Sequence, residues 1–153
     1  TATIEANSST FFMTNIIPQA PYNNEFTWMN MENYARTLID AGDELYTIMG
    51  SYGMGGTGSD GTKTTIDNGH VTVPSNIWKV IVVLPLNTND LSRVNNNTRV
   101  ISVIIPNINT GLSSDWKTYR TSVDAIEAAA GLDLLSNIST AIQQVIEARV
   151  DNQ

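Results

Sequence analysis

The stretch NIIPQAPYNNEFTWMNMENYARTL, from Asn15 to Leu38, joins a proline-bounded loop to an amphipathic helix pattern. The spacing predicts a helix from Glu25 to Ala41, with Gly42 in the position that a helix C-terminal cap prefers. Apolar residues recur at intervals of three and four, which gives this helix one buried face. The residues of that face are Trp28, Met31, Ala35, Leu38 and Ile39.

Outward from this helix, four segments are rich in β-branched and aromatic residues and predict strands. They are STFFMTNII (9–17), ELYTIMG (44–50), WKVIVVLPL (78–86) and RVISVIIPNI (99–108). The last two are separated by a polar, asparagine-rich segment, residues 87–98. This order is typical of a strand, a long turn and a second strand.

The C-terminal third has the pattern of helices. In TSVDAIEAAAG, residues 121–131, Thr121 and Asp124 form a start signal and Gly131 a stop signal. In TAIQQVIEARV, residues 140–150, Thr140 and Gln143 have the spacing of a capping box. Strands in the middle with helices at the ends predict an α+β fold with an antiparallel sheet.

Length and composition limit the class of protein. The chain has 153 residues, of which 41% are apolar, and this suits one globular domain or part of one. It contains no cysteine, no apolar run of membrane-spanning length and no N-terminal signal pattern, so we expect a soluble, mature or truncated chain. The formal charge of −7 argues against broad attraction to phosphate, so any nucleic-acid contact must depend on local charge.

Two glycine-rich motifs and one histidine are weak candidates. Gly53, Gly55 and Gly58 match G-x-G-x-x-G, but no helix pattern follows to hold a pyrophosphate, so a hairpin loop is favoured. Lys63 is out of register for a phosphate-binding loop. His70, the only histidine, follows a turn in NGHVTVP with no evident carboxylate beside it, and we interpret it as a surface or strand-edge residue.

The polar edge of the predicted helix carries a stronger candidate. At about 100° per residue, Asn24, Glu32 and Arg36 fall within an arc of about 120° beside the apolar face. One interpretation is an asparagine near a helix start and an exposed ion pair, worth only about 0.2–0.5 kcal/mol. The other is a neutral oxygen ligand, a carboxylate and a guanidinium along one cleft, a combination suited to a mostly hydrated Mg²⁺ and a phosphate. Spacing alone favours the first.

The longer pattern changes this balance. TFFMTNIIPQAPYNNEFTWMNMENYAR, residues 10–36, resembles the central motif of the DNA/RNA non-specific endonucleases. These ββα-metal nucleases include Serratia-type and cyanobacterial sugar-non-specific enzymes and mitochondrial endonuclease G. The likeness continues through VTVPSNIWKVIVVLP (71–85), RVISVIIPN (99–107), YRTSVDAIEAAAGLDLLSNI (119–138) and IEARV (146–150).

This resemblance implies roles for particular residues. It makes Asn24 the sole protein ligand of a Mg²⁺ or Mn²⁺ otherwise bound by water, and it assigns Glu32 to water on that metal. It assigns Arg36 to the phosphate at the cleavage site, and it matches Asn15 and Gln19 to further polar positions around the substrate. The implied fold is ββα-metal, an antiparallel sheet flanked by helices.

One departure from the family pattern is large. The D-R-G-H motif, which supplies the general-base histidine, is absent and would lie just upstream of Thr1, and His70 does not replace it. We therefore expect residues 1–153 to be the C-terminal portion of a single endonuclease domain. We expect this chain to cleave DNA and RNA only together with an upstream segment that carries D-R-G-H, and to be inactive alone.

The implied reaction is metal-dependent hydrolysis of DNA and RNA with little sequence preference, leaving 5′-phosphate ends. The resemblance is greatest to secreted bacterial and cyanobacterial enzymes, so we expect a secreted or periplasmic protein with no membrane partner. A protein inhibitor is a further candidate partner. The first alternative is a nuclease-like binding module that has lost its general base. The second is a secreted interaction domain in which the motif occurs by chance.

Overall fold

A three-stranded antiparallel sheet lies at the centre of the computed structural model, which describes residues 3–9, 11, 12 and 16–153. The strands in chain order are β1 (Asp43–Tyr52), β2 (Gly56–Gly58), β3 (Gly61–Lys63), β4 (Thr65–Ile66), β5 (Val71–Thr72), β6 (Asn76–Pro85) and β7 (Arg99–Pro106). The central sheet has the order β1, β6, β7, while β2 pairs with β3 and β4 with β5 in small hairpins.

The chain also contains a set of helices. They are α1 (Ile4–Ser9), a π-helical segment (Asn23–Trp28) that continues into α2 (Met29–Asp40), α3 (Asp90–Arg93), α4 (Val123–Ala130) and α5 (Thr140–Ile146). Of these, α2, α4 and α5 pack on the sheet. Short 3₁₀ turns occupy Asp67–Gly69 and Trp116–Tyr119. Within the described ranges, no helix combines the length and apolar character needed to cross a membrane. The predicted α+β fold with an antiparallel sheet is confirmed.

The strand β6 lies in the middle of the sheet, and this position explains why its sequence is apolar at nearly every residue. Because its side chains alternate between two covered faces, both sets are buried. Ile77, Ile81 and Val83 pack in a core with Trp28 and Met31 of the long helix. The alternate residues pack in a second core, with α4 and α5. That set consists of Trp78, Val80, Val82 and Leu84. The sheet therefore separates α2 from α4 and α5.

The ends of the helices follow the predicted signals closely but not in every residue. Gly42 follows the long helix at φ +100°, a left-handed conformation that glycine adopts without strain. Gly131 ends α4 in the same way, at φ +68°. The start of α4 is capped one residue later than predicted, since Ser122 Oγ, not Thr121, accepts the hydrogen bond from Ala125 N at 3.1 Å.

The predicted capping box of α5 is wrong. Ser139, not Thr140, stands at the N-cap position of the helix. The Gln143 side chain instead turns back to the preceding loop, where Nε2 donates to Leu135 O at 3.1 Å and Ile138 O at 2.9 Å. An amide that satisfies two loop carbonyls is engaged there and does not cap the helix.

The predicted strand at residues 9–17 is also wrong in its described part. Ser9 ends α1, Phe11 and Phe12 lie in a turn with exposed side chains, and residues 16–17 have no regular structure. A strand is stable only when a neighbour satisfies its backbone N–H and C=O groups. None of the described strands pairs with this stretch, so its β propensity alone does not produce a strand.

An acidic side chain is buried where α4 meets the end of α5. Glu147 is only 6% exposed, and burial raises its pKa to about 7, with the Glu127, Asp124 and Asp133 carboxylates acting in the same direction. The ordinary value is 4.5. The folded state therefore keeps this proton to a higher pH than the unfolded chain. Stability should fall as the pH rises from about 4.5 to about 7.

We expect Glu147→Gln, which cannot ionise, to raise the melting temperature relative to the parent at pH 8 and to have little effect at pH 4.5. The measurement is thermal unfolding by circular dichroism in EDTA, so that no bound cation offsets the charge. The exposed Asp60→Asn variant serves as a control for loss of a negative charge. An equal difference at both pH values would contradict the assignment.

Candidate active site

The loop that leads into the long helix is fixed by one buried asparagine. Asn107 directly follows β7 and is almost fully buried. Its Oδ1 accepts from Ala20 N at 2.7 Å, and its Nδ2 donates to Pro18 O at 3.0 Å and Pro74 O at 2.9 Å. Because this single side chain satisfies three backbone groups, it holds the proline-bounded loop against the end of the sheet.

The two asparagines at the start of the helix have opposite orientations, one side chain directed inward and the other outward. Asn23 is fully buried, where its Nδ2 donates to Pro106 O at 2.8 Å and its Oδ1 accepts from Gln19 Nε2 at 2.9 Å. Asn24 is exposed, and its side chain has no hydrogen-bond partner among the described residues. The first asparagine is thus structural, and the second presents an amide to solvent.

Asn24 lies in a π-helical turn, which the sequence did not reveal. Residues Asn23–Trp28 are π-helical, and Met29 N donates to Asn24 O across five residues. A π-helical turn contains more residues than an α-helical one, so the predicted arc, calculated at about 100° per residue, does not apply to Asn24. Such segments occur frequently at functional sites.

Glu32 and Arg36 both lie in regular α2, and their predicted pairing is present. Arg36 Nη2 is 4.0 Å from Glu32 Oε2, with side-chain exposures of 64% and 40%. Arg36 also donates from Nη1 to Asn33 Oδ1 at 2.6 Å. Its guanidinium therefore stands largely in solvent, where further N–H donors can reach a phosphate.

A lysine that sequence reasoning missed completes this group. Lys79 of β6 has a side chain only 4% exposed, and its Nζ lies 3.5 Å from Glu32 Oε1 and 4.0 Å from the centroid of the Trp28 ring. Burial lowers the pKa of Lys79, an effect that the Glu32 carboxylate opposes. Glu32 thus lies between two cationic side chains, one buried and one exposed. The available signal was a single lysine within the apolar run of β6.

The remaining predicted residues are more peripheral. Gln19 is partly buried and lines a cleft of about 190 Å³ together with Gly56, Thr57 and Lys63. Its Nε2 is engaged by Asn23, so it supports the entry to the helix. Asn15 lies outside the described residues.

Among the described residues, no hydrogen bond or ion pair joins the glycine motif or His70 to Asn24, Glu32 or Arg36. The last glycine of the motif, Gly58, lies in the predicted hairpin, which consists of β2 and β3, while Gly53 and Gly55 precede it. His70 is exposed, as expected, but the expectation that no carboxylate lies beside it is wrong. Its Nδ1 lies 2.6 Å from Asp67 O and 3.6 Å from Asp67 Oδ2. Asp67 begins the 3₁₀ turn, and His70 directly follows it.

The donor set fits a hard, mostly hydrated cation. Asn24 offers an amide oxygen without a partner among the described residues, and Glu32 offers a partly exposed carboxylate on the same helix. Neutral amide and carboxylate oxygens are the ligands that Mg²⁺ and Mn²⁺ prefer, and Mg²⁺ usually keeps several waters.

Comparison with known proteins gives a consistent result. The chain is 45% identical over 152 residues to a nuclease of Nostoc sp., covering 99% of this chain and 52% of that protein. It is 31% identical over 134 residues to the mitochondrial nuclease EXOG of Mus musculus, covering 84% of this chain and 34% of that protein. Thus the chain spans about a third to a half of the length of these relatives.

The fold has a solved counterpart. A crystal structure of an EndoG/EndoGI complex, described as showing the mechanism of EndoG inhibition, matches with a TM-score of 0.63 at 23% identity. The match covers 86% of this chain and 52% of that chain. The pattern of the family described as DNA/RNA non-specific endonuclease matches residues 1–141. This chain therefore belongs to the DNA/RNA non-specific endonuclease family.

Proposed function

We propose that this chain is the C-terminal portion of a metal-dependent endonuclease domain that hydrolyses DNA and RNA without sequence preference. The observation that carries the proposal is Asn24, whose amide faces solvent on the same helix as the Glu32–Arg36 pair. Membership of the family supports the same reaction class.

Each side chain has a separate task in this proposal. Asn24 binds Mg²⁺ or Mn²⁺ through its amide oxygen. When bound, the cation stabilises negative charge on the bridging and leaving oxygens of the phosphodiester. Glu32 accepts hydrogen bonds from water at the site, and Lys79 and Arg36 keep its carboxylate oriented. Arg36 donates N–H groups to the phosphate, which provides local attraction despite the formal charge of −7.

The general base comes from outside residues 1–153 in this proposal. His70 is exposed, and its polar contacts in the described structure are to Asp67. We infer that an upstream segment with a D-R-G-H histidine supplies the base. We call this chain together with that segment the complete protein.

One outer strand of the sheet supports this inference. β1 is an outer strand, and among the described strands it pairs only with β6. Tyr46, Ile48 and Met49 on β1 are exposed. An outer strand presents unpaired N–H and C=O groups that another strand can bind. Apolar side chains beside that edge add area that a covering segment would bury.

We expect this chain alone to cleave plasmid DNA about 10²–10⁴-fold more slowly than the complete protein, the range that a general base contributes. Supercoiled plasmid with Mg²⁺, followed on gels, provides the rates. His70→Ala should leave both rates unchanged. Efficient cleavage by the chain alone that His70→Ala abolishes would contradict the assignment of the base.

In the complete protein, Glu32→Gln should reduce turnover about 10–100-fold with little change in melting temperature, since it alters the surroundings of the metal without removing a ligand. Asn24→Ala should reduce both turnover and Mg²⁺ affinity further. Arg36→Lys keeps the charge but loses the planar fork, so turnover should fall. Cleavage rates across a Mg²⁺ titration measure all three.

Matched controls come from exposed positions of the same types. Asn30→Ala removes another amide of α2, whose Nδ2 donates to Ser114 O, and Arg149→Lys changes a remote guanidinium. Both should cleave DNA at the parental rate. If Asn24→Ala, Glu32→Gln and Arg36→Lys also cut at that rate, the three residues are not the active site.

We expect Lys79→Met to lower turnover in the complete protein about tenfold, because Glu32 loses the buried cation beside Oε1. The decisive measurement is a double-mutant cycle on turnover with Glu32→Gln. If Lys79 acts through Glu32, Lys79→Met has little further effect in the Glu32→Gln background. Reductions that multiply would show that Lys79 acts independently of Glu32. Melting curves separate this effect from loss of folding.

A further inference from the structure

Three carboxylates from two helices converge on the side of the sheet opposite α2. Asp124 and Glu127 belong to α4, and Glu147 is the residue that follows α5. One carboxylate oxygen from each lies within 4.8 Å of the other two. Oxygens on a Ca²⁺ ion at about 2.4 Å can be separated by up to about 4.8 Å, so these spacings suit one coordination sphere.

One side-chain oxygen of the buried member, Glu147, lacks a hydrogen-bond partner in the described structure. Glu147 is only 6% exposed, and its Oε1 is buried without a partner among the described residues. The ion pairs of the described residues involve none of the three carboxylates. Burying an ionised carboxylate oxygen without a partner costs folding free energy, and a bound cation offsets that cost.

Hydrogen bonds hold the carboxylates in place. Glu127 Oε1 accepts from Leu134 N at 2.6 Å, which fixes this side chain against the loop after α4. Asp124 N donates to Glu147 O at 3.2 Å, which joins the start of α4 to the end of α5. Asp124 is exposed, so solvent can reach the group and complete the coordination of an ion.

We propose that Asp124, Glu127 and Glu147 form a structural binding site for a divalent cation, Ca²⁺, that fastens α4 to the end of α5. Ca²⁺ is favoured over Mg²⁺ because it accepts irregular oxygen geometry and larger ligand separations. The site is distinct from Asn24, since the central sheet lies between α2 and α4. It does not depend on the proposed nuclease reaction.

The test uses the complete protein carrying Asn24→Ala, so that the other proposed metal ligand is absent. Isothermal titration with Ca²⁺ at pH 7.5, after removal of metals with EDTA, should show one site with a dissociation constant below about 1 mM. Ca²⁺ should also raise the melting temperature. Both Asp124→Asn and Glu147→Gln, added to this background, should weaken Ca²⁺ binding at least tenfold and abolish the thermal shift.

Asp60→Asn in the same background is the matched control, since Asp60 is an exposed carboxylate in the remote β2–β3 turn. It should bind Ca²⁺ as its parent does. Because Asp124 is exposed, Asp124→Asn tests the site without disturbing a buried position, and circular dichroism verifies folding. Absence of Ca²⁺ binding, or binding that neither Asp124→Asn nor Glu147→Gln weakens, overturns the proposal.

Discussion

The hydrogen bonds that Asn23 and Asn107 make at the end of β7 determine how the long helix is placed. Asn107 Oδ1 accepts a hydrogen bond from Ala20 N at 2.7 Å, and Asn23 Nδ2 donates one to Pro106 O at 2.8 Å. Both side chains are buried, so losing either one would leave backbone groups without partners in the interior, at a cost of about 1–3 kcal/mol each. With Asn23 directed inward, its neighbour Asn24 is exposed. The same constraint thus produces both the anchored helix and the exposed amide.

The central sheet then relates this helix to the rest of the molecule. One face of β6 packs against Trp28 and Met31, and the other packs against α4 and α5. Lys79 stands on the face toward the long helix, which places a buried ammonium beneath Glu32. A charge there is tolerated because the carboxylate and the Trp28 ring both interact with it. Lys79 therefore connects the polar surface of α2 to the core.

Local patterns predicted much of this fold, because the signals for β6, β7, α2 and α4 lie within each segment. Interactions between distant segments account for the failures. Residues 9–17 have strand propensity but no described partner strand, and Gln143 binds the preceding loop. The candidate site residues in α2 were predicted from helical spacing and family resemblance. Lys79 did not, since its contact with Glu32 joins residues far apart in the sequence, and the π-helical turn at Asn24 departs from the regular period used to predict the arc.

Anomalous diffraction from crystals of the complete protein containing Mn²⁺ tests most directly whether Asn24 presents its amide oxygen to a catalytic metal, as we propose. We expect an anomalous peak about 2.0–2.6 Å from Asn24 Oδ1, which is the range for hard cations bound to oxygen. Asn24 should be the one ligand that this chain provides, with water at the remaining positions. Glu32 should lie beyond direct bonding distance of that peak. A fully occupied Mn²⁺ bound elsewhere near α2, with Asn24 making no contact to it, would contradict the account.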